Sequence, residues 1–302
     1  MIIECESLVK RFRGHDAVRD VSLRVEKGSA LAVIGANGAG KTTTLRMLVN
    51  ILTPDSGTAR ILGIDSRRLR SQDFCRIGYV SENQKISDRM TVGQYCDYLR
   101  RLYPNWDRAH EANLRRQLDL PADRPLGKLS HGMRMKAMLV GALAFRPEVL
   151  LMDEPLSGLD PLVRDEVMEG LLGQAGETTI VISSHELAEI EGCATDVVFM
   201  DRGRVVFQDT MDDLMARFRH VTVTLARDSA VGPSATLPYA WLSPKANGQV
   251  FTFVDRAYTN DDALRHQINE HVGPVQLVRV DAISLRDLSK ELMRASRTGG
   301  VQ

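Results

Sequence analysis

Residues 30–48 read ALAVIGANGAGKTTTLRML. Ala30 to Ile34 is a short unbroken apolar run, the composition of a strand buried on both faces of a parallel sheet. Gly35-Ala36-Asn37-Gly38-Ala39-Gly40-Lys41-Thr42 follows at once and matches the pattern G-x-x-x-x-G-K-[ST]. From Lys41 onward Leu45, Leu48, Val49 and Leu52 recur at the spacing of one helix face. Thr53-Pro54-Asp55-Ser56-Gly57 then ends the helix with turn chemistry. Strand, glycine loop and helix in this order are the context a phosphate-binding loop requires. The glycines let backbone N–H groups close around phosphate oxygens, and the helix amino terminus adds partial positive charge. Lys41 is placed to reach β- and γ-phosphates, and Thr42 to offer its hydroxyl to Mg²⁺. Gly35, Asn37, Gly38, Ala39, Gly40, Lys41, Thr42 and Thr43 are therefore the candidate nucleotide-binding residues of this loop.

A second apolar run, Val149-Leu150-Leu151-Met152, ends on Asp153-Glu154, with Asp153 112 positions after Lys41. An acid at the end of a buried strand beside a phosphate loop is placed to hold Mg²⁺. A second acid directly after it can take a proton from an attacking water. Further buried-strand runs are Arg76–Val80, Thr179–Ile182 and Asp196–Met200, the last turning through Asp201-Arg202-Gly203 into a hairpin with Arg204–Phe207. Val18–Glu26 has the period of a half-buried strand. Residues from about Thr91 to Leu120 and from Ser130 to Phe145 read as helical. Strands alternating with helices predict an α/β core.

Composition bounds the rest. The 302 residues include 39 Lys plus Arg and 39 Asp plus Glu, a net charge of zero. This argues against a protein held on nucleic acid by bulk positive charge, so no nucleic-acid partner is expected. The longest apolar stretch, Ala137 to Phe145, is far short of the ~20 residues needed to span a bilayer. The amino terminus lacks the basic and apolar regions of a secretory signal. Cys5, Cys75, Cys96 and Cys193 form no CxxC pair and read as reduced thiols of a cytosolic protein. His185-Glu186 lacks the second histidine of H-E-x-x-H, so no zinc site is expected. No [NT]-K-x-D base-reading motif points to GTP.

Three more motifs fall in order around Asp153-Glu154: Leu129-Ser130-His131-Gly132-Met133 before it, Pro155-Leu156-Ser157-Gly158-Leu159-Asp160 after it, and Ser183-Ser184-His185 at the end of the next strand. With them the chain resembles the nucleotide-binding subunits of ATP-binding-cassette (ABC) transporters over about residues 1–217. The resemblance implies a P-loop ATPase core with a helical subdomain at about 86–145. Phe12 sits where the family stacks an aromatic on adenine. Ser130 and Gly132 match signature positions that contact the γ-phosphate of ATP on the opposite subunit, and Asp160 matches a loop aspartate that communicates across the dimer. Glu154 matches the general base and His185 the switch histidine, making Glu154, His185 and Lys41 the implied catalytic group. Thr42 and Asp153 are the implied Mg²⁺ ligands. The implied activity is ATP hydrolysis by a head-to-tail dimer, a homodimer or a paired cassette, closing around two MgATP. A separate integral membrane permease would place the subunit at the cytoplasmic face of the membrane.

This chain departs from the family pattern in two places. The usual signature is Leu-Ser-Gly-Gly-Gln; here His131 and Met133 replace its third and fifth positions. The glutamine expected after the Ile77–Val80 strand is replaced by Glu82, with Gln84 two residues on. Either can reach Mg²⁺ or the attacking water, with spacing favouring Glu82. An acid there also occurs in exporter-type cassettes, which tilts the reading towards export. The stretch Tyr95–Trp106 (YCDYLRRLYPNW) either docks on the membrane subunit, as in the family, or is an amphipathic cap with Tyr95, Tyr98 and Tyr103 packed inside. A cassette ATPase acting on DNA or ribosomes is the rival, but it would usually carry a long coiled-coil insertion or a second P-loop. Residues 218–302 change character: strands at Val221–Leu225, Ala240–Leu242, Val250–Val254 and Val275–Val280, helices at Asp261–His271 and Ser284–Ala295, and a loop at Ser229–Pro238. They predict a small α+β accessory domain of charge +2 against −2 for residues 1–217, either regulatory or a passive cover.

Overall fold

The computed structural model describes residues 1–173, 176–190, 192–226 and 237–298. The chain divides into two compact units, Met1–Gln208 and Asp209–Gln302. The helix Met211–Arg217 thus belongs to the second unit, whereas the sequence reading puts the division after it.

The first unit is built on a six-stranded sheet. Its order is Arg204–Thr210, Asp196–Asp201, Ala30–Ile34, Thr179–Ser184, Val149–Asp153 and Ile77–Ser81. The four pairings that join Asp196–Asp201 through to Ile77–Ser81 are parallel. Ala30–Ile34, Val149–Asp153 and Thr179–Ser184 are buried at every residue, which is why they read as unbroken apolar runs. Their register sets Ile34 beside Ser184, Ser183 beside Asp153, and Asp153 beside Ser81. The carboxyl ends of four strands therefore come level, and the glycine loop leaves the sheet from that same edge. A crevice outside such strand ends is where open α/β sheets bind ligands.

A second, antiparallel sheet joins His15–Val25, Ile3–Phe12, Ser56–Ile61 and Ile64–Asp65. One hydrophobic cluster takes Ile3, Leu8 and Ile61 from this sheet, Met47 and Leu48 from the helix Lys41–Leu48, and Leu31 and Val33 from the parallel sheet. The helix behind the glycine loop is thereby clamped by apolar contacts on its buried side. The helical stretch read at Thr91–Leu120 is two helices, Val92–Arg100 and Arg108–Gln117. Between them lies Pro104, whose ring and missing N–H do not continue a helix. Thr91 and Gln94 form a capping box at the first, and the Asp107 side chain caps the second. Tyr95 is buried and Tyr103 stacks on Phe145 at 4.1 Å, but Tyr98 is exposed.

In the second unit four antiparallel strands lie in the order Trp241–Asn247, Val250–Asp255, Arg219–Leu225 and Val275–Ala282. Val221, Val223, Phe251 and Val278 pack with Leu264 and Ile268 of the helix Asp261–His271. The helix Leu285–Thr298 buries Leu285, Leu288 and Leu292. Most of the loop read at Ser229–Pro238 lies outside the described residues.

Candidate functional site

Lys41, Thr42, Asp153, Glu154 and His185 converge at the level strand ends. Each arrives there for a local reason. Gly35 follows strand Ala30–Ile34, and a Cβ on it would lie 2.3 Å from the Met200 carbonyl oxygen. Gly40 caps the helix with φ 104°, a left-handed conformation that glycine adopts without a Cβ clash. The loop can therefore bend this tightly only with glycine at these points. Lys41 is 4 % exposed. Its Nζ donates to the Gly35 carbonyl at 2.6 Å and the Ala36 carbonyl at 3.3 Å, and lies 3.0 Å from Glu154 Oε1.

Asp153 is buried at its strand end. Its Oδ1 accepts from the Thr42 hydroxyl at 2.8 Å and the Ser183 hydroxyl at 2.9 Å. Ser183 Oγ in turn accepts from the Glu154 amide at 3.0 Å. Glu154 leaves the strand at φ 51°, the left-handed region that a side chain rarely adopts. That turn directs its carboxylate to Lys41 on one oxygen and, on the other, to His185 Nδ1 at 3.0 Å. A buried lysine, a carboxylate and an imidazole thus share one contact chain beside the phosphate loop. Thr42 and Asp153 offer only oxygen donors, one carboxylate and one hydroxyl. This suits Mg²⁺, which is commonly held by one or two carboxylates plus water and substrate phosphate. Three of the four thiols are held protonated at ordinary pH: burial pushes Cys5 and Cys96 up to about 12 and Cys193 up to about 11.

The remaining predicted residues lie outside this group. Ser130 caps the helix His131–Leu143 and accepts from the Met133 amide at 3.2 Å. A Cβ on Gly132 would meet Val163 at 2.5 Å, and His131 Nε2 lies 3.1 Å from the Ser157 carbonyl. Asp160 caps the helix Pro161–Leu172 by accepting from the Val163 amide. The signature turn and the Ser157–Asp160 turn therefore form a second cluster. No hydrogen bond among the described residues joins Ser130 or Gly132 to residues 35–43. Phe12 ends its strand 43 % exposed, with Lys10 Nζ 5.7 Å from its ring centre. The Glu82 amide donates to the Asp153 carbonyl at 3.1 Å, and the Gln84 amide to the Ser81 carbonyl at 2.9 Å. Both residues follow the strand beside Asp153.

Sequence reasoning passed over Ser183 and the buried network behind His185. The Ser184 hydroxyl donates to Glu189 Oε2 at 2.5 Å, and Arg164 pairs with Glu189 Oε1 at 3.1 Å. The signal is two serines closing an otherwise apolar strand, because buried hydroxyls require partners.

With this geometry in hand, the comparisons with known proteins decide the family. The model for ABC transporters matches residues 18–157. The chain is 31 % identical over 232 residues to the ABC transporter ATP-binding protein YtrB of Bacillus subtilis, covering 76 % of this chain and 78 % of the relative. The chain belongs to the ATP-binding proteins of ABC transporters. This ABC cassette is also 33 % identical to the daunorubicin resistance ATP-binding protein DrrA2 of Streptomyces coeruleorubidus, over 70 % of this chain and 68 % of that one. It is 35 % identical to a sulfate/thiosulfate import ATP-binding protein, CysA, of Bradyrhizobium diazoefficiens, over 68 % and 62 %. Among solved structures, an ATP-binding subunit of an ABC transporter superposes with a TM-score of 0.65 at 26 % identity, over 72 % of this chain and 92 % of that one. A dimeric cassette in a post-hydrolysis state with ADP and Pi shares the fold at a TM-score of 0.61 and 20 % identity, over 69 % and 98 %. The ABC cassette is an ATPase with a mixed α/β core around a parallel sheet. No helix among its described residues is long and apolar enough to cross a membrane.

Proposed function

We propose that two such cassettes close head to tail around two MgATP and that hydrolysis powers export through a separate integral membrane permease. The observation that carries this reading is Glu154, whose two carboxylate oxygens lie 3.0 Å from Lys41 Nζ and 3.0 Å from His185 Nδ1. A carboxylate held there is placed to accept a proton from water attacking a γ-phosphate that Lys41 and the loop amides orient. His185 steadies the base and contacts the phosphate. Thr42 and Asp153, with Glu82 as a further ligand, would hold Mg²⁺, which would supply charge neutralisation to the bound phosphates. Phe12 offers an exposed ring for adenine. Residues 35–43 supply the loop contacts, while Ser130 and Gly132 serve the nucleotide of the opposite subunit and Asp160 its loop. Separation of the signature cluster from the phosphate loop within one chain supports a site completed by a second copy.

Export is favoured by Glu82, and a resistance protein stands among the relatives, as does an importer. The cassette then works at the cytoplasmic face, docked through residues 86–145 to its permease, with residues 218–302 as an accessory domain. The test is Glu154→Gln, which should bind MgATP, accumulate as a dimer and lose at least ~100-fold in phosphate release. Turnover like that of the unaltered chain would remove Glu154 from the base role. Co-purification with ribosomes or DNA instead of a multi-span membrane protein would overturn the transport reading.

A further inference from the structure

The second unit carries two cations with no acid to hold. Arg219 opens the strand Arg219–Leu225 and is half-buried. Its Nη1 donates to the Met215 carbonyl and, at 3.1 Å, to the Phe218 carbonyl, and its guanidinium lies 5.4 Å from the centre of the Tyr258 ring. These contacts fix the group in place, but none of them brings a full counter-charge. Asp255 stands opposite Arg219 on the neighbouring strand, yet it is buried, accepts from the Ala257 amide at 2.9 Å, and burial pushes its carboxyl above the ordinary value. Arg265 lies exposed on the helix Asp261–His271, and among the described residues no carboxylate comes within ion-pair distance of either arginine.

Both arginines line one cavity of about 260 Å³, with Val278 and Val280 of the edge strand, Tyr258 and Asp261. Tyr258 is held at both ends. Its amide donates to the Arg217 carbonyl at 3.1 Å, and its hydroxyl to Asp261 Oδ1 at 2.8 Å. That hydroxyl has spent its one proton, while Asp261 keeps an oxygen able to accept. The lining thus holds two positive charges against one negative. A guanidinium partly removed from water is costly without a counter-charge, so the cavity favours an external anion. Its residues also narrow the kind of anion. Guanidinium forks match the spaced oxygens of carboxylate and phosphate. The open oxygen of Asp261 repels a fully ionised oxyanion but accepts from one that keeps a proton. A phosphate group meets both demands, because its last proton leaves at about pH 6, close to neutrality. The space suits a single such group, being below the ~300–1,000 Å³ of sites for larger ligands.

We propose that Arg219, Arg265, Tyr258 and Asp261 form a phosphate-binding site of the accessory unit, sharing no residue with the phosphate loop. The two guanidinia donate to ionised oxygens of the phosphate, and Asp261 accepts from its remaining P–OH. A free phosphate and the phosphate of a lipid headgroup present this same chemistry.

The experiment uses the full chain saturated with a non-hydrolysable MgATP analogue, which fills the phosphate loop. Inorganic phosphate is then titrated by calorimetry, and a dissociation constant of about 1 mM is expected for so small a ligand. Arg265→Ala should weaken it about tenfold or more, and Arg265→Lys should recover part of that loss. Arg265 is exposed, so the melting temperature without phosphate should not move, and binding of the ATP analogue should stay within about twofold. Sulfate, which holds no proton near neutral pH, should bind several-fold more weakly, and Asp261→Asn should remove that preference. Two further probes separate the sources. Glycerol phosphate binding like inorganic phosphate assigns a free phosphate. Binding confined to vesicles of phosphatidic acid, absent with phosphatidylcholine and lost in Arg265→Ala, assigns a headgroup. The proposal is overturned if no phosphate source binds up to about 10 mM. It is overturned equally if Arg265→Ala binds each of them as before, or if sulfate binds as well as phosphate.

Discussion

Replacing Ser183 with alanine tests whether the strand-end hydroxyl organises both acids of the site. Ser183 is fully buried; its hydroxyl donates to Asp153 Oδ1 at 2.9 Å and accepts from the Glu154 amide at 3.0 Å. The substitution removes one hydrogen bond to a carboxylate, worth about 1.5–3 kcal/mol, and leaves an amide short of its acceptor, a further ~1–3 kcal/mol. Entry of water into the vacated space would restore part of this, so a net loss of about 2–4 kcal/mol is expected. For a unit of this size each kcal/mol lowers the melting temperature by about 2–4 °C. Circular dichroism melts should therefore move down by at least about 4 °C. Freed from Ser183, Asp153 should also sit less firmly against Thr42, so half-maximal phosphate release should need several-fold more Mg²⁺. An unchanged melt together with an unchanged magnesium requirement would refute the reasoning.

Two further predictions concern the loop and the thiols. Gly35→Ala forces a Cβ to 2.3 Å from the Met200 carbonyl and 2.9 Å from Ala39 Cβ. It should cost about 1–3 kcal/mol by overpacking and abolish ATP binding by fluorescence titration. Gly38→Ala meets nothing within 4 Å but sits at φ 84°, so it should show only the ~1–2 kcal/mol cost of a left-handed side chain. The buried thiols make stability fall in alkali. Their folded pKa values, about 12 for Cys5 and Cys96 and about 11 for Cys193, lie above the ordinary 9.0. The unfolded chain therefore ionises first, and their contribution is full below pH 9 and is lost as pH rises towards the folded values. At about 1.4 kcal/mol per pH unit and thiol, the stability gap between the unaltered chain and Cys5→Ala should shrink by about 2 kcal/mol from pH 8 to 10.5. Urea midpoints at the two pH values measure it, and a constant gap would count against the burial account.

The parallel core was readable because its strands are local, unbroken apolar runs and its loop needs glycine at fixed places. The first strand, Ile3–Phe12, was missed for an equally local reason. Its pairing with His15–Val25 shifts register between Cys5 and Leu8, and Ser7 takes φ 47°. Such a bulge destroys the alternation by which a half-buried strand is recognised. The turn read at Thr53–Gly57 takes in the first two residues of the strand Ser56–Ile61, because Ser-Gly has turn composition. At the site, residue types and order pointed to Lys41, Asp153, Glu154 and His185. What linear order could not give was the exchange of partners among them. The Glu154 turn, its double contact and the bond from Ser183 depend on a register between strands far apart in sequence.

An ammonium group has three protons to donate. In Lys41 all three directions already meet oxygen: the carbonyls of Gly35 and Ala36 and the carboxylate of Glu154. An arriving phosphate therefore displaces an internal rival instead of filling an idle donor. Nucleotide affinity in the single cassette is a difference between two anions, one of them the chain's own. Neutralising Glu154 weakens that rival as well as the proposed base, so Glu154→Gln should hold ATP more tightly even before two cassettes meet. Tight binding by this variant has two separable origins, a stalled reaction and a lost competitor. A non-hydrolysable nucleotide isolates the second, since no reaction is then left to stall.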